Sequence, residues 1–120
     1  MHLYSFEKLD VWKEAIQLSV KTYKTNNLYP KEEKFGLVSQ MRRCSVSVSS
    51  NIAEGTARLT NKDNVHFMTM AYSSAIELLN QAIISKELEF ISEENYKNIR
   101  FEIESITNKI NSLRNHFLKS

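Results

Sequence analysis

Glycine occurs twice and proline once in 120 residues, and that scarcity is the first constraint on the fold. A β-rich chain of this length needs many tight turns, and tight turns draw on both residues. Their near absence points to long helices joined by short connections. Cysteine occurs once, as Cys44, so no intrachain disulfide can form, which suits a reducing compartment. The opening residues, Met1-His2-Leu3-Tyr4-Ser5-Phe6-Glu7-Lys8, contain no apolar signal segment. Charges recur too often along the chain for a membrane span. The expectation is a soluble, cytoplasmic protein with no membrane partner.

Other absences bear on chemistry. With only Gly36 and Gly55, no glycine-rich phosphate loop can be built. His2, His66 and His116 are scattered and form no triad that spacing supports. A carboxylate-bridged metal pair in a bundle needs two Glu-x-x-His motifs, whereas only Asp63-x-x-His66 approaches one. Cys44 falls on an apolar helical stripe, where a thiol is inert packing material. The serines at 45–50 read as thin helix packing. The expectation is therefore no catalytic residue, no cofactor, no metal site and no enzymatic activity.

What is present suits one ordinary globular core: 42% hydrophobic residues, 25% charged, and a net charge of +2. The charge is unevenly spread. Residues 35–62 hold Arg42, Arg43, Arg58 and Lys62 against Glu54. Residues 63–90 hold Lys86 against Asp63, Glu77, Glu87 and Glu89.

Apolar periodicity predicts four helices, at about 9–26, 31–54, 63–88 and 93–118. In the first, Leu9, Trp12, Ile16, Val20 and Tyr23 form the main stripe, with Val11, Ala15 and Leu18 as a narrower second one. Pro30 suits the start of the second helix, with Glu32 and Glu33 at the positive end of its dipole. Leu37, Met41, Cys44, Val48 and Ile52 form its stripe, and Gly55 is the expected C-cap. Thr60, Asn61 or Asp63 can cap the third helix. Its two stripes, Met68-Ala71-Ala75-Leu78-Ala82 and Tyr72-Ile76-Leu79-Ile83, cover roughly half the circumference, so it should be buried on two sides. Ser92 caps the fourth, where Tyr96, Ile99, Ile103, Ile106, Ile110, Leu113 and Phe117 repeat at spacings of three and four. Phe101 sits nearly opposite that stripe. The resulting fold class is all-α, an antiparallel up-down four-helix bundle.

Several motifs also carry a resemblance. Phe6-Glu7-Lys8-Leu9-Asp10-Val11-Trp12, Pro30-Lys31-Glu32-Glu33-Lys34-Phe35-Gly36-Leu37, Ser39-Gln40-Met41-Arg42-Arg43 and Asn51-Ile52-Ala53-Glu54-Gly55 occur in order. Together they closely resemble the four-helix-bundle proteins encoded in bacterial 23S rRNA intervening sequences, often labelled S23 ribosomal protein. The resemblance spans essentially the whole chain, and Arg58 matches the family's arginine. This sequence departs from the pattern at Ser49, usually proline, at Ala57, usually glycine, and at Ser73-Ser74, usually Gly-Ser. The resemblance implies a bundle that assembles into rings, notably homopentamers. It also implies kinship with the accessory protein of diversity-generating retroelements, a basic pentameric barrel that works with a reverse transcriptase and nucleic acid.

The residues independently suggest an assembly. Val11 and Leu18 on the first helix, Tyr72, Ile76, Leu79 and Ile83 on the third, and Phe101 exceed what one bundle interior requires. Two functions follow. In one, a homo-oligomeric ring serves as a scaffold or protein-interaction module, with Arg42 and Arg43 paired to acids such as Glu77, Glu87 or Glu89 of the same or a neighbouring subunit. In the other, Arg42, Arg43, Arg58 and Lys62 form a basic surface on the second helix and the loop after it, repeated around the ring to engage RNA or DNA phosphates.

Overall fold

Four stripes of this kind are all buried at once when they face a common axis. The computed structural model, which describes all 120 residues, has that arrangement: α1 Asp10–Asn26, α2 Leu37–Ala57, α3 Asn61–Glu87 and α4 Glu93–Lys119. There is no strand, and two 3₁₀ turns, Ser5–Lys8 and Lys31–Glu33, precede α1 and α2. Each helix lies against the next and α4 returns beside α1, while the diagonal pairs stay apart. The chain is an all-α four-helix bundle measuring 45 × 31 × 23 Å. No helix is long and apolar enough to cross a membrane.

The helix starts follow local chemistry. Thr60 Oγ1 accepts the Asp63 N–H at 3.2 Å, and Ser92 Oγ accepts the Asn95 N–H at 3.1 Å. Each satisfies one backbone donor that the first helical turn leaves without a partner. α4 then buries Tyr96, Ile99, Ile103, Ile106 and Ile110 along its inner face.

Helix ends depart from expectation where packing intervenes. α2 begins at Leu37 rather than near Lys31, because Gly36 is non-helical at φ −108°, ψ −109°. Glu33 Oε1 accepts the Leu37 N–H at 3.3 Å and takes the role of a cap. Gly55 does not end α2, which runs on to Ala57. A Cβ at position 55 would stand 2.5 Å from Met68 Cε and 2.8 Å from Phe67 Cβ, so the glycine is there to let α3 approach. α3 ends in a Schellman motif: Phe90 N–H donates to Ser85 C=O at 2.9 Å and Glu89 N–H to Lys86 C=O at 3.0 Å. Glu89 holds the left-handed position of that motif, φ 62°, where glycine is usual.

The largest departure is the facing of α1. Leu9, Trp12, Ile16, Val20 and Tyr23 were expected inside, yet Val20 and Tyr23 are exposed and the other three only half-buried. The inward face is Val11, Ala15, Leu18, Thr22 and Thr25. Val11 and Leu18 thus belong to the core of one bundle and leave the set of candidate oligomer contacts. Threonine can occupy such a face because its hydroxyl finds a partner on its own helix: Thr22 Oγ1 donates to Leu18 C=O at 2.8 Å. α2 and α3 meet it with polar groups of their own. Asn26 Nδ2 and Ser85 Oγ both donate to Met41 Sδ at 3.6 Å, and Gln81 Nε2 to Cys44 Sγ at 3.5 Å.

Candidate functional site

α2 carries Arg42 and Arg43 in its second turn, whereas Arg58 follows its last residue. Sixteen residues of helix separate Arg42 from Arg58, about 24 Å at 1.5 Å per residue. The four candidate nucleic-acid contacts are therefore two pairs near opposite ends of the bundle. Arg42 is held in place. Its guanidinium donates to Tyr23 C=O at 3.2 Å and to Asn27 Oδ1 at 3.1 Å, and lies 4.5 Å from the centre of the Tyr23 ring. Arg43 is exposed and makes neither a hydrogen bond nor an ion pair within the chain. At the other end Arg58 stacks 4.6 Å over Phe67, and Lys62 stands exposed.

Ion pairs lie elsewhere. They join Lys21 to Glu102 at 2.8 Å, Lys86 to Glu93, Arg100 to Glu104, and Lys109 to Glu14. Burial raises the Glu14 carboxyl, but hydrogen bonds from Lys109 and Ser105 outweigh it and leave the pKa lowered. No carboxylate of the chain pairs with Arg42 or Arg43, so the expected intrachain pairing with Glu77, Glu87 or Glu89 is not made. Glu77 instead accepts the Cys44 thiol proton. Burial, reinforced by that carboxylate, pushes the Cys44 thiol up to about 11, as expected of an inert packed cysteine.

The apolar candidates divide. Tyr72 and Leu79 are half-buried and pack onto the core, with Arg114 5.6 Å over the Tyr72 ring. Ile76 is 42% exposed and Ile83 36% exposed, and α3 also leaves Met70 and Ile84 in the open. The third helix is therefore buried along one face rather than two. Phe101, in the N-terminal half of α4, is 74% exposed.

One cluster was not anticipated. The segment Lys34–Phe35 was expected to lie inside a helix. With α2 starting at Leu37, it forms the turn before the helix, and Phe35 projects with 88% of its surface exposed. Lys34 Nζ lies 5.3 Å from the centre of the Phe35 ring. Tyr23, Lys34, Phe35, Arg42 and Arg43 line an open cleft of about 410 Å³, and an adjoining one of about 400 Å³ runs beneath Pro30, Lys31 and Lys34 to Asn26. The two share Lys34, Val38 and Arg42, and no carboxylate lines either. Phe35 lies off the Leu37-Met41-Cys44 stripe and Gly36 follows it directly. Those two signals were legible in the sequence.

The chain matches the family model of the 23S rRNA-intervening sequence protein over residues 7–112. A search of curated proteins returns no match. Among solved structures, the chain is similar to a protein of unknown function from the S23 ribosomal protein family of Bacteroides thetaiotaomicron VPI-5482. The two share 21% identity and a TM-score of 0.78, over 87% of this chain and 97% of the other. At that identity the neighbour supports the four-helix fold. The family match covers most of the sequence, and the chain belongs to the 23S rRNA-intervening sequence protein family.

Proposed function

We propose that this chain is a non-enzymatic building block that acts as a homo-oligomeric ring, serving as a scaffold or interaction module in the cytoplasm. The observation that carries this reading is the outer face of α3, where Ile76 and Ile83, with Met70 and Ile84, remain exposed. Burying exposed apolar side chains favours association by roughly 25 cal/mol per Å² of apolar area. A second copy can supply the cover, and the family resemblance favours five. The single thiol, buried and unpaired, fits a reducing compartment.

The test is the mass in solution by light scattering. The expected result is a multiple of 14.0 kDa, five-fold for a pentamer, with Ile76→Glu and Ile83→Glu together driving it towards one copy. A wild-type mass of one copy at micromolar concentration overturns the reading.

A second reading, an RNA- or DNA-binding accessory protein, draws support from Arg43 and Lys62, which have no carboxylate partner in the chain. In a ring, each end of the bundle would repeat its cations around the axis. Retention of labelled RNA at low salt and its loss at high salt is the expected outcome. Absence of retention at low salt refutes this second reading and leaves the first untouched.

A further inference from the structure

We infer that the turn before α2 and the adjoining faces of α1 and α2 form a docking site for single-stranded nucleic acid, with Phe35 and Tyr23 as stacking platforms and Lys34, Arg43 and Lys31 as phosphate contacts. This rests on the nucleic-acid reading and deepens it by naming the end of the bundle and the strandedness.

Three observations carry it. The first is the exposure of Phe35, whose ring is 88% open at the tip of an otherwise polar turn. Solvation of that ring is unfavourable, and neither α1 nor α2 covers it. One ring face is shadowed by Lys34 at 5.3 Å, which leaves the opposite face free for a base. The second is charge. Four cations, Lys31, Lys34, Arg42 and Arg43, line the two clefts without a carboxylate among the lining residues. Of the acids in the turn, Glu33 is held on the Leu37 N–H, and neither Glu32 nor Glu33 lines either cleft. The third is the fixing of Tyr23. Arg42 stacks on its ring and bonds its carbonyl, so this aromatic is held in place before any ligand arrives.

Rings interleaved with cations suit a single strand better than a duplex. A single strand offers both unstacked bases and phosphates, whereas a duplex hides its base faces. An acidic peptide would use the cations and leave Phe35 idle. Arg42 is a positioning residue here, because its Nη2 bonds both the Tyr23 carbonyl and Asn27 Oδ1 and its guanidinium lies over the Tyr23 ring.

Fluorescence anisotropy of the full chain with labelled single strands of about 12 nucleotides, at about 50 mM salt, tests the inference. Phe35→Ala removes an exposed side chain that supports no packing, and it should weaken binding roughly five- to hundred-fold without altering the salt dependence. Arg43→Ala should weaken binding and lower the slope of log affinity against log salt by about 0.7. Arg58→Ala with Lys62→Ala, at the far end, should weaken binding less than either of these changes. Full affinity in the Phe35→Ala variant overturns the inference, as does a duplex or a poly-glutamate peptide binding as tightly as the single strand. Loss confined to the Arg58 and Lys62 variants overturns this site while sparing the nucleic-acid reading. No binding of any nucleic acid sinks both.

Discussion

The two halves of the bundle core are built differently. Around Val48, Ile52, Met68, Ala71, Ala75, Ile106 and Ile110 the interior is apolar, and all of these side chains are fully buried. Its buried amides, Asn51 and Asn64, both reach backbone: Asn51 Nδ2 donates to the Ser47 carbonyl, and Asn64 Nδ2 to the carbonyls of Gly55 and Arg58 at the end of α2. The other half, under the Lys34–Phe35 turn, buries Thr22, Thr25, Asn26, Ser45, Gln81 and Ser85 around Met41 and Cys44. There Thr22, Ser45 and Ser85 bond backbone carbonyls, but Asn26, Gln81 and Ser85 reach across only to sulfur at 3.5–3.6 Å, and Asn26 Oδ1 and Gln81 Oε1 are buried without a partner. An unpartnered buried polar atom costs about 1–3 kcal/mol. The first half supplies stability. The second is less stable and lies beneath the more chemically varied surface, the usual relation between a supporting core and a functional end.

That contrast can be broken by mutation. Ile106→Ala in the apolar half should cost about 2–5 kcal/mol, through lost burial and the cavity left behind. Urea denaturation followed by circular dichroism measures it, and a cost under about 1 kcal/mol would mean the apolar half is not the stabilising one. Gln81→Leu in the polar half should be neutral or stabilising by up to about 1 kcal/mol, since it removes an unpaired oxygen and only one weak bond to sulfur. Marked destabilisation by the same assay would show that the polar layer is fully satisfied in solution.

The smallest effect concerns pH. The Cys44 thiol ionises near 9.0 in an ordinary setting and at about 11 in the fold. Below pH 9 both states keep the proton and Cys44 contributes its full stability. Between pH 9 and about 11 the unfolded chain ionises while the folded chain does not, so stability should fall as pH rises. Native-state alkylation should stay slow across the same range, and rapid alkylation at pH 8 would contradict the buried, carboxylate-bonded thiol.

Much of the bundle was legible from the chain. α4 was readable because Ile99, Ile103, Ile106 and Ile110 repeat at spacings of three and four along its inner face, so periodicity and burial coincide there. Ser92 was readable as a cap because a cap is a bond across three residues, while Thr60 was one of three candidates among which the structure chose. The candidate site was readable only in part. Arg42 and Arg43 were marked, but Tyr23 was placed inside the core and Phe35 inside a helix. On α1, of its two stripes the more apolar one was taken as buried, and it proved to be the outer one.

The sequence by itself determined four helices, their order and most of their starts, because those depend on contacts within a few residues. Only the tertiary structure decided which stripe of α1 faces inward. Thr22 and Thr25 become acceptable core residues once their hydroxyls are satisfied or sheltered and α2 and α3 present Ser45, Gln81 and Ser85 across from them. It also decided that Gly55 admits α3 instead of ending α2, and that Phe35 stands beside Arg43 in a turn rather than inside a helix. Facing is a property of neighbours, and the neighbours of these residues are distant in sequence.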